Sequence, residues 1–348
     1  MELRKNKVLL GLSGGVDSAT AALLLKEKGC EVVGYYFDVK GKNEAGRASA
    51  EDVAKQLNIP LIYEDVSTDF REIVIENFIT EYLHGRTPNP CVLCNPNIKF
   101  KRLIRHADEI GAYYIATGHY CRILRDETRQ LSYIHRAVND QKDQSYMLYR
   151  LPQEIISRLI FPLAEFAEKE SVRNIARKNG LSSAEKSDSQ EICFVEDDDY
   201  AKFITDYSGY KPKEGDILDV NGNVIGKHRG LIYYTIGQRK GIGAYGRPMF
   251  VMKIDAENNT ITLGEKGMEF SNELTAYDVN FVSGEFPKEN MLITAKVRYQ
   301  APPAAAMLCP QKDGTVKLMF PEPQRAVTPG QAVVFYDGDI VLGGGTVL

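Results

Sequence analysis

No apolar run among these 348 residues approaches the roughly 20 needed to cross a bilayer, so no membrane span is expected. The start, MELRKNKVLLGL, sets basic residues before a short apolar strand, but no small-residue cleavage site follows. A cytoplasmic location is the expectation. Six cysteines are too few for a disulfide scaffold of this length, and in a reducing compartment they need another explanation. Zinc also lacks its pattern: Cys91-Val92-Leu93-Cys94 has no second CxxC, and the five histidines form no HxxxH. Internal repeats and low-complexity segments are missing too. What remains is 43% hydrophobic and 26% charged with a net charge of −4, the composition of an ordinary soluble protein. The length predicts two or three domains.

The most informative stretch present is Gly11-Leu12-Ser13-Gly14-Gly15-Val16-Asp17-Ser18, directly after the apolar run Val8-Leu9-Leu10. Strand, glycine-rich turn and helix start turn backbone N–H groups toward a phosphate. The loop lacks the Gly-Lys-Ser/Thr ending of P-loop NTPases and the GxGxxG of dinucleotide binders. Ser13, Gly14, Gly15, Asp17 and Ser18 instead resemble the pyrophosphate loop of enzymes that split ATP into AMP and pyrophosphate.

Strand-like runs at Val8–Leu12, Glu31–Phe37, Leu61–Asp65 and Tyr113–Thr117 alternate with helical stretches. The helices are read at Ser18–Lys28, with Ser18 as N-cap, and at Ala45–Leu57, Asp69–Tyr82 and Ile98–Ile110. That alternation predicts βαβ units and an α/β, Rossmann-like parallel sheet with its ligand beyond the carboxyl ends of the strands. Phe37 and Thr117-Gly118-His119 would stand there beside the glycine loop. Near residue 210 the texture changes to short strands with hairpin signals at Asn221-Gly222-Asn223 and Asp255-Ala256-Glu257-Asn258-Asn259. From about residue 275, runs at Val279–Val282, Leu292–Tyr299, Thr315–Phe320, Gln331–Tyr336 and Ile340–Leu342 suggest an antiparallel barrel. The expected division is residues 1–209 as nucleotide domain with a helical connector, 210–274 as a small β-rich middle domain, and 275–348 as a C-terminal β-barrel.

Cysteine gives the second constellation. Thr87-Pro88-Asn89-Pro90 stiffens the approach to Cys91 and Cys94, and a third cysteine stands at Cys193 in Ser189-Gln190-Glu191-Ile192-Cys193-Phe194. Cys30, Cys121 and Cys309 read as packing residues. Taken in order, the glycine loop, the Cys91–Cys94 loop running into Ile98-Lys99-Phe100-Lys101, Ala116-Thr117-Gly118-His119-Tyr120, Lys142-Asp143-Gln144-Ser145-Tyr146, the Cys193 segment, Tyr234-Thr235-Ile236-Gly237-Gln238-Arg239-Lys240-Gly241 and Val297-Arg298-Tyr299 resemble the bacterial tRNA-specific 2-thiouridylase family. The resemblance covers essentially the whole chain.

It implies ATP-dependent replacement of the C2 oxygen of a wobble uridine by sulfur, with Mg²⁺ accompanying ATP. Cys193 would carry a persulfide from an upstream sulfurtransferase or cysteine desulfurase, and Cys94 would be the thiol that discharges it. ATP would meet Gly11 through Ser18, Phe37 and Gly118. The target base would lie against Asn89, Pro90 and Cys91, and tRNA against Lys142, Asp143, Gln144, Arg298 and Tyr299, with one chain acting as a monomer on the tRNA. Both reactive thiols are expected in a field that lowers their pKa, Cys94 at the start of the helix near Ile98.

Local charge agrees with an RNA partner. Between Arg86 and Arg150 eleven Lys/Arg face six Asp/Glu, and between Ile225 and Arg247 five Lys/Arg stand among tyrosines with no acid. Two departures from the family pattern stand out. Many relatives carry an acid where this chain has Cys91, and a longer acidic segment where it has Asp38-Val39-Lys40-Gly41-Lys42-Asn43. Cys91, Cys94 and Cys193 therefore also admit a [4Fe–4S] cluster as the sulfur-handling device. A different pyrophosphate-loop ligase would use the same glycine loop without needing the cysteines. A non-enzymatic RNA-binding protein would need neither.

Overall fold

The computed structural model describes residues 6–186, 192–195 and 197–348. Its first sheet is parallel and built around β1 (Lys7–Gly11), whose Val8, Leu9 and Leu10 are fully buried because neighbours cover both faces. β2 (Glu31–Asp38), β3 (Leu61–Asp65) and β4 (Tyr114–Ala116) pair with it directly or in turn. A hairpin of β5 (Arg122–Asp126) and β6 (Leu131–His135) then leaves the sheet, and β7 (Leu159–Ile160) returns to its edge. The order β3-β2-β1-β4-β7 reverses direction between β1 and β4, where the crevice of such a sheet opens.

Helix α1 (Val16–Glu27) begins two residues before the expected Ser18, because Gly15 is extended and serves as N-cap. Ser18 lies inside the first turn, its hydroxyl donating to the Gly15 carbonyl at 3.1 Å. α2 (Glu44–Gln56) is capped by Asn43, which accepts from the Gly46 N–H at 3.0 Å. α3 (Ser67–Phe70) and α4 (Glu76–Leu83) are joined by a π-turn at Arg71–Ile75, so the single helix expected there is continuous but locally wider.

A larger difference follows. The run expected to begin near Ile98 starts eight residues earlier, as α5 (Pro90–Cys94), a π-turn (Asn95–Lys99) and α6 (Phe100–Glu109). Pro90 at the first helical position explains the start, since proline is preset for it. α7 (Gln153–Ile156), α8 (Lys169–Lys178) and α9 (Tyr200–Ser208) complete the helical part.

The middle unit is a four-stranded sheet ordered β10-β11-β8-β9, from β8 (Gly215–Leu218), β9 (Val224–His228), β10 (Met249–Asp255) and β11 (Thr260–Glu265). Both hairpin signals fall at its turns. The Asp219 carboxylate accepts from the Asn221 and Asn223 N–H groups, each at 2.8 Å. The terminal unit is a closed antiparallel barrel of β12 (Phe270–Phe281), β13 (Met291–Lys296), β14 (Ala304–Pro310), β15 (Val316–Arg325), β16 (Ala332–Asp337) and β17 (Ile340–Val347), with β12 pairing both β15 and β17. β14 escaped the sequence reading because Ala304-Ala305-Ala306 carries no β-branched or aromatic signal. The β5–β6 hairpin docks on this barrel through Ile340 opposite His135. One core consequently runs from Leu9 and Ile115 through Tyr146 and Tyr149 to Val334 and Tyr336. No helix among the described residues is long and apolar enough to cross a membrane.

Candidate functional site

The glycine loop is shaped by close approaches that only glycine allows. Gly14 has φ +76°, and a Cβ there would stand 2.6 Å from the Ser49 backbone. At Gly118, after β4, a Cβ would lie 2.9 Å from both Asp17 C and Ser18 N, so this strand end packs directly on the loop. Buried Leu12 and Val16 anchor the segment between Gly11 and α1. Ser13 is tied across the loop, its N–H donating to the Ser18 hydroxyl at 3.2 Å, while Gly15 N–H approaches the Ser13 hydroxyl at 3.4 Å. Asp17 accepts from the Tyr120 hydroxyl at 2.8 Å and from the Lys169 ammonium at 2.6 Å. The Lys186 ammonium donates to the Gly14 carbonyl at 3.1 Å and to the Ser49 hydroxyl. Phe37 is half-buried at the carboxyl end of β2, its ring 5.9 Å from that of Tyr35. Asp38 closes the short segment after it by accepting from the N–H groups of Lys40, Gly41 and Asn43.

The cysteine site is built on the α5–α6 run. Asn89 is the extended N-cap, Pro90 is buried, Cys91 is exposed and Cys94 is half-buried. Asn89 and Asn95 reach back to Met147, at its sulfur (3.6 Å) and its carbonyl (2.8 Å). Cys193 is exposed, but Phe194 beside it is buried edge-on against Phe70 and Phe78. Cys94, Ile192 and Phe37 all pack on that same apolar cluster. Ser189, Gln190 and Glu191 lie outside the described residues.

The thiols are not poised as expected. Burial pushes Cys94 up to about 12, with further upward push from charge on Cys193 and Cys91; only the ammonium and backbone N–H of Lys99 act the other way. Although both side chains reach the surface, the protein around them also desolvates and raises Cys91, opposed by Lys99, and Cys193, which Lys99 and Lys40 oppose. With the helix starting at Pro90, Cys94 lies within the helical run and not just ahead of it, and burial decides the direction. Lys99 also joins burial in holding His119 well below the usual imidazole range. Each of the three cysteines lies near enough to feel the charge of Lys99, and Cys193 that of Lys40 as well. Even so, among the described residues no group of three His, Cys, Asp or Glu is arranged to hold a metal ion, so these thiols as placed do not fit a cluster.

The residues expected at tRNA divide into two kinds. Asp143 is only 1% exposed and accepts from the N–H groups of Ala137 and Ser145 and from the Ser145 hydroxyl, so it shapes the loop and does not face outward. Gln144 is locked to Tyr120 by a reciprocal pair of hydrogen bonds, 2.9 and 3.0 Å. Lys142, Arg298 and Tyr299 are half-buried at the surface. Tyr299 lies 5.9 Å from the Tyr146 ring, has Lys296 Nζ 5.7 Å from its own ring, and is close enough to Cys91 to feel its charge. The barrel therefore meets the cysteine loop. That loop is also pinned by Gln331 to the Thr87 carbonyl (2.8 Å) and by a 2.5 Å contact between the Thr87 and Thr235 hydroxyls. Sequence reasoning assigned no role to Lys99, Lys169 or Lys186. Lys99 stood inside a quoted motif, whereas the two others return from more than 150 residues downstream with no local signal.

Three family profiles match in order: a tRNA methyl transferase HUP domain over residues 6–197, a tRNA methyl transferase PRC-barrel domain over 201–265, and an aminomethyltransferase beta-barrel domain over 271–347. The tRNA-specific 2-thiouridylase MnmA of Acetivibrio thermocellus is 47% identical over 359 residues, covering 99% of this chain and 100% of that protein. The protein of the same name from Clostridioides difficile is 45% identical, covering 98% of each. A solved 4-thiouridine synthetase–RNA complex with bound ATP aligns at 18% identity and a TM-score of 0.37, over 51% of this chain and 42% of that one.

Proposed function

The chain belongs to the tRNA-specific 2-thiouridylase family, and from that premise we propose that it replaces the C2 oxygen of the wobble uridine of tRNA by sulfur at the expense of ATP. A pyrimidine C2 carbonyl is a poor electrophile with a poor leaving group. Attack of its oxygen on the α-phosphorus of ATP forms an O–P bond, expels pyrophosphate and turns the oxygen into the leaving group AMP. ATP lies along Gly11 to Ser18 with Gly118 beneath the loop and Phe37 toward the adenine. Mg²⁺ bound with ATP supplies charge neutralisation at the phosphates. Asp17, which in this structure accepts from Tyr120 and Lys169, would be the carboxylate nearest such an ion.

Sulfur arrives as a persulfide on Cys193, loaded by an upstream sulfurtransferase or cysteine desulfurase. Its terminal sulfur bonds to C2 as AMP departs. Cys94 then attacks the Cys193 sulfur, the S–S bond breaks, the thiocarbonyl stays on the base, and a Cys94–Cys193 disulfide remains for an external thiol to reduce. Burial of Cys94 holds its thiol up at about 12 and so disfavours the thiolate in the chain without substrate. The observation that supports the reading is that Cys94 packs on the same apolar cluster as Ile192 and Phe194, the neighbours of Cys193, while the helix carrying Cys91 and Cys94 is tied to Met147. A monomer on one tRNA would lay the anticodon across this junction, with Lys142 and Arg298 at its phosphates. The middle unit adds a shallow cavity of about 360 Å³ lined by Arg239, Tyr245 and Arg247.

The test is nucleoside mass spectrometry of tRNA treated with ATP, a persulfide donor and protein. Cys94→Ala and Cys193→Ala should each yield no 2-thiouridine. Full yield without Cys94 would overturn the mechanism, and no 2-thiouridine from the unmodified chain would overturn the function.

A further inference from the structure

Two lysines from distant sequence close on the glycine loop, and they differ in what they do there. Lys169, the first residue of α8, is paired with a carboxylate: its ammonium donates to one Asp17 oxygen while Tyr120 donates to the other. That pair is neutral overall. Among the described residues Lys186 has no such partner. Its half-buried ammonium rests on the Gly14 carbonyl and the Ser49 hydroxyl, both uncharged, and among the described residues no carboxylate pairs with it.

The position sets that charge beside the positive end of a helix. Lys186 stands at the N-terminal end of α1, a twelve-residue helix whose first amides carry positive partial charge. Cations stabilise helix C-termini, so an ammonium here stands at the end of the helix that favours anions. Gly14 at φ +76° and the close passage of Ser49 leave its carbonyl pointing to the lysine. A polyanion lying between the helix start and the ammonium would be attracted by both.

We infer that Lys186 is a catalytic residue that binds the β- and γ-phosphates of ATP and stabilises pyrophosphate as it leaves, while Lys169 is a positioning residue acting through Asp17. The inference rests on the ATP-dependent reading above. When the uridine oxygen attacks the α-phosphorus, the bond from the α-phosphorus to the bridging oxygen breaks. Its electron pair passes to the β-phosphate, where the ammonium meets the new charge with no proton transferred. A charge-assisted contact of this kind is lost when the ammonium becomes an amide.

The experiment is calorimetric binding of inorganic pyrophosphate and, separately, AMP to the full chain and to its Lys186→Gln and Lys186→Arg variants. Pyrophosphate should bind Lys186→Gln about 10- to 100-fold more weakly, with AMP unchanged and Lys186→Arg in between. Unchanged pyrophosphate affinity, or equal loss for both ligands, overturns the inference. Should the glutamine variant not fold, the unmodified chain answers instead: pyrophosphate, and not AMP, should slow acetylation of Lys186 read by peptide mass spectrometry. Neither assay needs tRNA or sulfur. A chain that binds pyrophosphate through Lys186 but forms no 2-thiouridine leaves this inference standing and removes the functional reading; a thiolating chain with an indifferent Lys186 does the reverse.

Discussion

Lys99 acts on each of the three thiols and on His119, and in every case its positive charge favours the form that carries less positive or more negative charge. Replacing it by methionine removes that influence, so the thiol pKa values rise further and the thiolate fraction at neutral pH falls. Alkylation of Cys94 by iodoacetamide in Lys99→Met should therefore slow several-fold, while in the unmodified chain it should climb about tenfold per pH unit across pH 7–10, because only thiolate reacts. A plateau near pH 8 would mean that Cys94 is not held near 12. Asp143 carries the opposite lesson: a residue expected at the tRNA surface is a buried acceptor that shapes its loop.

The α5–α6 run owes its geometry to Pro96. Proline has no N–H to give the carbonyl four residues back, and the ladder widens to a π-turn over Asn95–Lys99. The widened turn brings the Lys99 backbone N–H toward the Cys94 sulfur, five residues earlier. Pro96→Ala should restore a regular helix, raise or leave unchanged the melting temperature, and rotate Cys91 and Cys94 relative to Lys99. Thiolation should drop by about tenfold or more, the scale of a roughly 1 Å misplacement at a reacting group. Full activity in this variant would show that the π-turn is incidental.

The three units of the chain share one working loop. Thr87 is held by Pro329 and Gln331 from the barrel and by Thr235 from the middle sheet, and Tyr146 and Tyr149 donate to barrel carbonyls at Ala332 and Gly345. Gln331→Ala combined with Thr235→Val should loosen the cysteine loop and leave the glycine loop intact. About 1 kcal/mol per lost bond predicts a fall of roughly tenfold or more in kcat/KM for tRNA, with pyrophosphate affinity unchanged by calorimetry. Loss of both activities together would mean that the units are not separable in this way. The charge pattern agrees: the chain is net acidic, yet Arg86–Arg150, which contains the shared loop, and Ile225–Arg247, whose Thr235 bonds to it, are basic.

Much of this was legible in the linear chain because it is local. The period of Val8–Leu10, the order of glycines after it, the Asn221 and Asp255 turn signals and the Cys91–Cys94 spacing all express themselves within about ten residues, the range over which backbone propensity and alternation act. The helix start at Pro90 was hidden by a proline-rich stretch that reads equally as loop. β14 was hidden by alanines that carry no strand preference, and the β5–β6 hairpin by joining a sheet whose other strands lie more than 130 residues later. The protonation of the thiols and the return of Lys169 and Lys186 to the glycine loop had no local trace. Burial and charge pairing are properties of what packs around a group, and here the packing partners come from segments that only folding brings together.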